Sequence, residues 1–169
     1  NIQDVELVDR LEDKMKLIEL CLTMAYDYKV NYTDVYSQVR CWDTIIYNHL
    51  LTKDIIIPPR EDQVKDTQYE GAYVKDPQLG LHNWIVSFDL NSLYPHLIMQ
   101  YNISPETFVG TEPKAVGVEN FLDEKLNLKW AKDRNVTIAP NGAMFKRDKQ
   151  GFLPELMEKM YTERVVYKK

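Results

Sequence analysis

Ser87-Phe88-Asp89-Leu90-Asn91-Ser92-Leu93-Tyr94-Pro95 is the stretch from which the rest of the chain is read. Just before its end on Asp89, Trp84 to Phe88 is a short apolar run of strand length. Asn91 and Ser92 then form a small polar turn, and Leu93 to Gln100 reads as a helix entered through it. A strand that passes through such a turn into a helix can aim several backbone N–H groups in one direction, which makes a phosphate cradle. A carboxylate beside phosphates suits a divalent metal held between them. The plainer alternative is that Asp89 ends the strand and caps the next helix.

Working outward toward the N-terminus, Tyr69 to Val74 reads as extended, and Arg60 to Gln68 is charged and polar after Pro58-Pro59. This is the expected boundary between two structural units. Before it, Val8, Leu11, Met15, Ile18 and Leu22 form one apolar stripe at spacings of three and four, predicting a long helix. Val35, Val39, Trp42 and Ile46 predict a second helix, with Thr33 or Asp34 at its cap. Together they read as an antiparallel helical hairpin. Toward the C-terminus, Gly110 to Lys132 reads as loop with one short helix. Thr137 to Phe145 is broken by Asn141-Gly142, a two-residue hairpin signal. Pro154 suits the first turn of a final helix.

The chain has 169 residues, 44% hydrophobic and 28% charged, which is the profile of a globular protein and excludes extended disorder. No apolar run approaches the ~20 residues of a membrane-spanning helix. The N-terminus lacks the features of a signal peptide and an initiator methionine, and both ends read as cut. Cys21 and Cys41 are too few for a disulfide framework or zinc site and read as two buried thiols. His49, His82 and His96 have no metal-ligand spacing. A net charge of −5 argues against a free-standing nucleic-acid binder without excluding a local basic patch.

Asp89 to Pro95, DLNSLYP, resembles the first polymerase motif of family-B DNA polymerases, D-x-x-S-L-Y-P. Tyr69-Glu70-Gly71-Ala72 resembles that family's Y-x-G-G/A motif. Asn102 to Thr107, NISPET, is similar to the stretch that follows the first motif in polymerases of T-even-like bacteriophages. Asp4 falls where the third exonuclease motif, Y-x-x-x-D, would end, and Arg164 and Lys168 match a basic pair near the start of the fingers.

The resemblance implies an α+β fold. Residues 1–58 would be the C-terminal helices of a 3′–5′ exonuclease domain, 59–80 a connector, 81–152 the first part of the palm and 153–169 the start of the fingers. It implies template-directed addition of deoxynucleotides to a primer 3′ end in viral DNA replication, with Mg2+ in a two-metal site and proofreading in the parent protein. Asp89, with the Leu90 carbonyl, would be a metal ligand. Asn91, Ser92 and Leu93 would hold phosphates through their N–H groups, and Leu93 would also pack beneath the site. Tyr94 would exclude a ribose 2′-hydroxyl. Arg164 and Lys168, four apart on one helix face, would reach the triphosphate. Tyr69 and Gly71 would touch the template backbone, and Asp4 would serve the exonuclease metal.

Plainer roles stand beside these: a core aromatic for Tyr94, helix-dipole partners for the basic pair, a turn glycine for Gly71 and a helix cap for Asp4. The D-T-D motif that carries the family's second carboxylate does not occur, nor does the lysine-rich fingers motif. The second carboxylate is therefore expected from outside this chain, and the isolated chain is expected to be inactive. Implied partners are primer-template DNA, a deoxynucleoside triphosphate, the remaining polymerase and a sliding clamp, in the host cytoplasm and away from membrane. The alternative is a non-catalytic nucleic-acid-binding or assembly subunit of a split polymerase. The hairpin could also serve only to hold two active sites apart.

Overall fold

The computed structural model describes residues 1–59, 71–112, 117–122 and 128–168. They belong to two compact units, Asn1–Gln63 and Val64–Lys169.

The first unit contains α1 (Ile2–Met15), α2 (Leu17–Tyr28), a 3-10 turn (Tyr32–Tyr36) and α3 (Gln38–Leu51). The long helix expected over the Val8–Leu22 stripe is thus two helices. Lys16 takes a left-handed conformation (φ 52°, ψ 43°), and its N–H closes α1 on the Glu12 carbonyl at 2.7 Å. Both Glu12 carboxylate oxygens accept from the Ile18 N–H at 3.1 Å, so a side chain of α1 caps α2. The apolar spacing runs on through this break, which is why the stripe does not reveal it. No side chain of α1 is buried.

The second helix starts later than Thr33 or Asp34. Asp34 is held by the Arg40 guanidinium at 3.1 Å and by the Asn31 amide at 3.3 Å. Ser37 is the cap instead, its hydroxyl accepting from the Arg40 N–H at 3.5 Å. Val35 leaves the α3 stripe and joins Cys41 and Leu50 as the buried apolar residues among those described in this unit. The Cys41 thiol donates to the Asp34 and Val35 carbonyls at 3.6 and 3.7 Å. Cys21 is half-buried rather than buried, and both thiols are free. The Tyr36 hydroxyl donates to Tyr32 at 3.3 Å and accepts from the Cys21 thiol at 4.0 Å. Chiefly the bond to Tyr32, and then Cys21, push the Tyr36 phenol up to about 12.

In the second unit, residues 71–90 form neither helix nor strand. The strand expected over Trp84 to Phe88 is absent, and Trp84 and Phe88 are 98% and 89% exposed. The reason is the lack of a ladder: no described strand pairs with this segment, and a lone strand leaves its N–H and C=O groups to water. The extended segment expected over Tyr69 to Val74 lies partly outside the described residues, and 71–74 are irregular.

Beyond them come α4 (Leu93–Tyr101), a 3-10 turn (Pro105–Thr107), β1 (Phe108–Thr111), α5 (Val118–Leu122), α6 (Lys129–Asp133), β2 (Val136–Ile138), β3 (Ala143–Lys146) and α7 (Phe152–Tyr167). Two short helices occupy the region where one was expected, and β1 was not expected at all: four residues, one of them glycine, carry little strand pattern. The sheet runs in the order β1–β3–β2, all antiparallel, with Phe108 opposite Phe145 and Val136 opposite Lys146. The Phe108 and Phe145 rings meet at 5.8 Å. Helices with this one small sheet make the α+β fold that was expected.

The β2–β3 hairpin uses a four-residue loop rather than two residues. The Gly142 N–H returns to the Ala139 carbonyl at 2.8 Å with Pro140 at the second position of the turn. Gly142 stands at φ 83°, and a Cβ there would come within 2.5 Å of the Glu112 carbonyl oxygen. Only glycine fits.

The centre of this unit is partly polar. Asn102, Ser104 and Thr107 are buried beside Ala131, Ile138, Phe145, Pro154 and Leu156. Asn102 ends α4 in the left-handed conformation (φ 57°), a common use of asparagine. Its side-chain amide donates to the Lys146 and Lys149 carbonyls at 2.6 and 2.8 Å and accepts from the Gly151 N–H at 2.9 Å. Thr107 donates to the Asn102 carbonyl at 2.6 Å. The Glu106 carboxylate accepts from the Ser104 hydroxyl at 2.5 Å and the Phe152 N–H at 2.6 Å. At about 1 kcal/mol net per bond, this network ties the end of α4 to the start of α7.

Candidate functional site

α4 and α7 pack against each other as an antiparallel pair with three ties along their length. At one end Asn102 holds Gly151. In the middle the His96 ring meets the Tyr161 ring edge-on at 4.7 Å. At the other end the Arg164 guanidinium donates to the Ser92 hydroxyl at 2.9 Å. Residues 72 apart in sequence are thus joined at the DLNSLYP turn.

Ser92 is the centre of that turn. It takes φ 52°, ψ 46°, and its side chain does not cap α4. Its hydroxyl donates instead to Asn91 Oδ1 at 3.3 Å and accepts from Arg164. Its carbonyl accepts the His96 N–H at 3.2 Å and lies 2.9 Å from His96 Nδ1, so that ring nitrogen carries a proton. The helix therefore begins with the Leu93 and Tyr94 N–H groups lacking a side-chain cap, and Pro95 brings no N–H at all. The positive end of α4 and an exposed guanidinium stand together, an arrangement that favours an anion with several oxygens.

Asp89, Leu90, Asn91, Leu93 and Tyr94 are exposed around this turn, Tyr94 by 77%. The core position considered for Tyr94 does not occur in the described structure. Among the described residues no group of three or more His, Cys, Asp or Glu gathers to hold a metal ion. Asp89 is exposed and belongs to no such group. Lys168 lies past the last turn of α7, at φ −85°, ψ 69°, where its N–H bonds the Arg164 carbonyl at 2.9 Å. That bond spans one helical turn, so Lys168 follows Arg164 by one turn at the end of α7.

The remaining expected site residues are Asp4, Gly71 and Tyr69. Asp4 sits in the first turn of α1, 3.4 Å from the Asn1 amino group. Gly71 is exposed, and a Cβ there would meet nothing within 4 Å. Tyr69 lies outside the described residues. In the first unit an open polar hollow of about 550 Å³ is lined by residues including Lys29, Asp34, Arg40 and Asp43, but its arginine is already paired with Asp34. Sequence reasoning gave no role to Tyr161 and did not foresee the contacts made by His96, Asn102 and Glu106. Asn102 and Glu106 lie in the NISPET stretch already noted, but their bonds to residues 146–152 are long-range and left no local signal.

The family described as DNA polymerase family B matches residues 30–169. The DNA-directed DNA polymerase of Escherichia phage RB69 is 36% identical over 170 residues, covering 99% of this chain and 18% of the phage protein. The DNA-directed DNA polymerase of Enterobacteria phage T4 is 34% identical over 169 residues, covering 100% of this chain and 18% of the relative. DNA polymerase 1 of Pyrococcus abyssi is 38% identical over 102 residues, 60% of this chain and 11% of the relative. The chain thus spans less than a fifth of the length of these relatives.

Proposed function

Because the chain belongs to DNA polymerase family B, we propose that the α4–α7 corner receives the triphosphate of a deoxynucleotide during template-directed extension of a primer 3′ end. The observation that carries the reading is the Arg164–Ser92 contact at 2.9 Å beside the uncapped start of α4. Arg164 offers a planar set of donors to phosphate oxygens, and the Leu93 and Tyr94 N–H groups offer two more. Asn91 and Ser92 shape the turn, and Lys168 adds a nearby positive charge. Tyr94, with its ring exposed, closes the sugar side and leaves no room for a 2′-hydroxyl.

Asp89 would hold Mg2+ as one ligand, with the Leu90 carbonyl beside it; the remaining ligands belong to parts of the polymerase beyond the described residues. When bound, two such ions lower the pKa of the primer hydroxyl and stabilise charge on the phosphate. Tyr69 and Gly71 would approach the template backbone, the glycine leaving open space there. Asp4 would belong to a proofreading site of the whole enzyme. Residues 1–58 would be the last helices of the exonuclease domain, 59–80 a connector, 81–152 palm and 153–169 the start of the fingers. The whole protein would work on primer-template DNA with a sliding clamp, in the cytoplasm of an infected host.

The test is primer extension by the full-length gene product with Mg2+. Asp89→Asn should lower kcat by roughly 10²–10³ with primer-template affinity intact, in the range for loss of one electrostatic partner of a transition state. Equal incorporation by the variant would overturn the catalytic assignment. Wild-type protein that binds DNA and incorporates nothing would favour the non-catalytic assembly module.

A further inference from the structure

We propose that Asn102 is a positioning residue for Arg164: it sets where α7 begins and thereby where the guanidinium ends. This rests on the nucleotide-binding reading above. Asn102 does not touch the DLNSLYP turn; it stands at the opposite end of α4 from Ser92. Its amide grips both sides of the approach to α7, donating to the Lys146 and Lys149 carbonyls and accepting from the Gly151 N–H. Glu106 completes the grip on the Phe152 N–H, satisfying one of the free donors at the start of α7. Gly151 has no room to move inward, since even a Cβ there would lie 2.5 Å from the Ser104 Cβ.

From this anchor α7 runs about 20 Å to Arg164, at about 1.5 Å per residue. A tilt of about 5° at the origin therefore displaces the guanidinium by about 2 Å, which takes a 2.9 Å contact beyond hydrogen-bond range. The His96–Tyr161 contact is the only one of the three ties between the helices that lies between their ends, and it is a ring edge rather than a hydrogen bond. Direction and axial position are set at the Asn102 end, where four hydrogen bonds from Asn102 and Glu106 meet residues 146–152.

Steady-state single-nucleotide incorporation by the full-length gene product tests this with Arg164→Ala, Asn102→Gly and the double variant. Glycine keeps the left-handed backbone at position 102 without strain and removes only the side-chain bonds. Arg164→Ala should raise the nucleotide KM about tenfold, the size of a lost charged hydrogen bond. Asn102→Gly should raise it several-fold with primer-template affinity unchanged. The double variant should match Arg164→Ala alone, because no guanidinium remains to be positioned. If Arg164→Ala leaves KM unchanged, the nucleotide-binding reading fails and this one falls with it. If Arg164→Ala raises KM but Asn102→Gly does not, or if the two effects multiply in the double variant, the positioning role alone is overturned. Should Asn102→Gly fail to fold, Glu106→Ala enters the same cycle, because its carboxylate holds the Phe152 N–H at the same anchor.

Discussion

Replacing Gly151 with alanine adds one methyl at a crowded point of the second unit. The new Cβ would stand 2.5 Å from the Ser104 Cβ, 3.0 Å from its hydroxyl and 3.2 Å from the Thr107 methyl. Backbone strain is not involved, since Gly151 lies at φ −73°, ψ 159°, which alanine adopts freely. The cost is steric. Ordinary carbon contacts lie near 3.5–4.0 Å, so the two segments must part by about 1 Å. Ser104 cannot yield easily, because its hydroxyl is held by Glu106 and its carbonyl accepts from Thr107. Overpacking of this kind costs about 1–3 kcal/mol. Separation also stretches the Asn102–Gly151 bond, worth about 1 kcal/mol more. A destabilisation of about 3 kcal/mol lowers a urea midpoint by about 1–3 M at ordinary slopes. Urea unfolding of the second unit can be followed by fluorescence at Trp130, which lies in α6 against the Arg134 guanidinium. Gly71→Ala, into open space, serves as the steric control. A Gly151→Ala midpoint equal to that of the control would refute the packing described for this junction.

Three further outcomes follow from the same geometry. Tyr94→Ala should raise ribonucleotide incorporation relative to deoxyribonucleotide by roughly 10–200-fold, the scale of one pocket contact, read as a ratio of kcat/KM values; an unchanged ratio removes the gate. Glu106→Ala should destabilise the chain by about 1–2 kcal/mol in a denaturant titration, as loss of a helix cap does, and no change would mean that water replaces the carboxylate at Phe152. Tyr36 should stay protonated when ordinary tyrosines ionise near 10 and titrate near 12. Its folded-state pKa is raised, so its stabilising contribution is complete below about 10 and is lost as pH rises through about 12. Phenolate absorbance of wild type against Tyr36→Phe reads this directly, and loss of an ordinary phenol in the variant would contradict the Tyr32–Tyr36 bond.

The helices α4 and α7 were legible because their signals are local: an apolar run after Asn91-Ser92, and a proline suited to a first turn. The residues around Asp89 stood out through the resemblance of DLNSLYP to a family motif, since their local pattern also fits a strand-end aspartate capping the next helix. What escaped depends on partners far along the chain. Asn102 bonds residues 44, 47 and 49 positions away, and Arg164 meets Ser92 across 72. The Lys16 break was hidden because α2 resumes the spacing of α1. Trp84 to Phe88 has the composition of a strand, but strand formation needs a ladder that the described residues do not offer.

The central claim is that the start of α4 and Arg164 together hold a triphosphate. Amide hydrogen exchange across residues 89–96 of the full-length gene product measures this most directly, with primer-template and Mg2+ present and a deoxynucleoside triphosphate added or withheld. The account predicts that nucleotide slows exchange at Leu93 and Tyr94, and that Arg164→Ala reduces this protection at the same nucleotide concentration. Unchanged exchange at both amides while nucleotide is bound would contradict it.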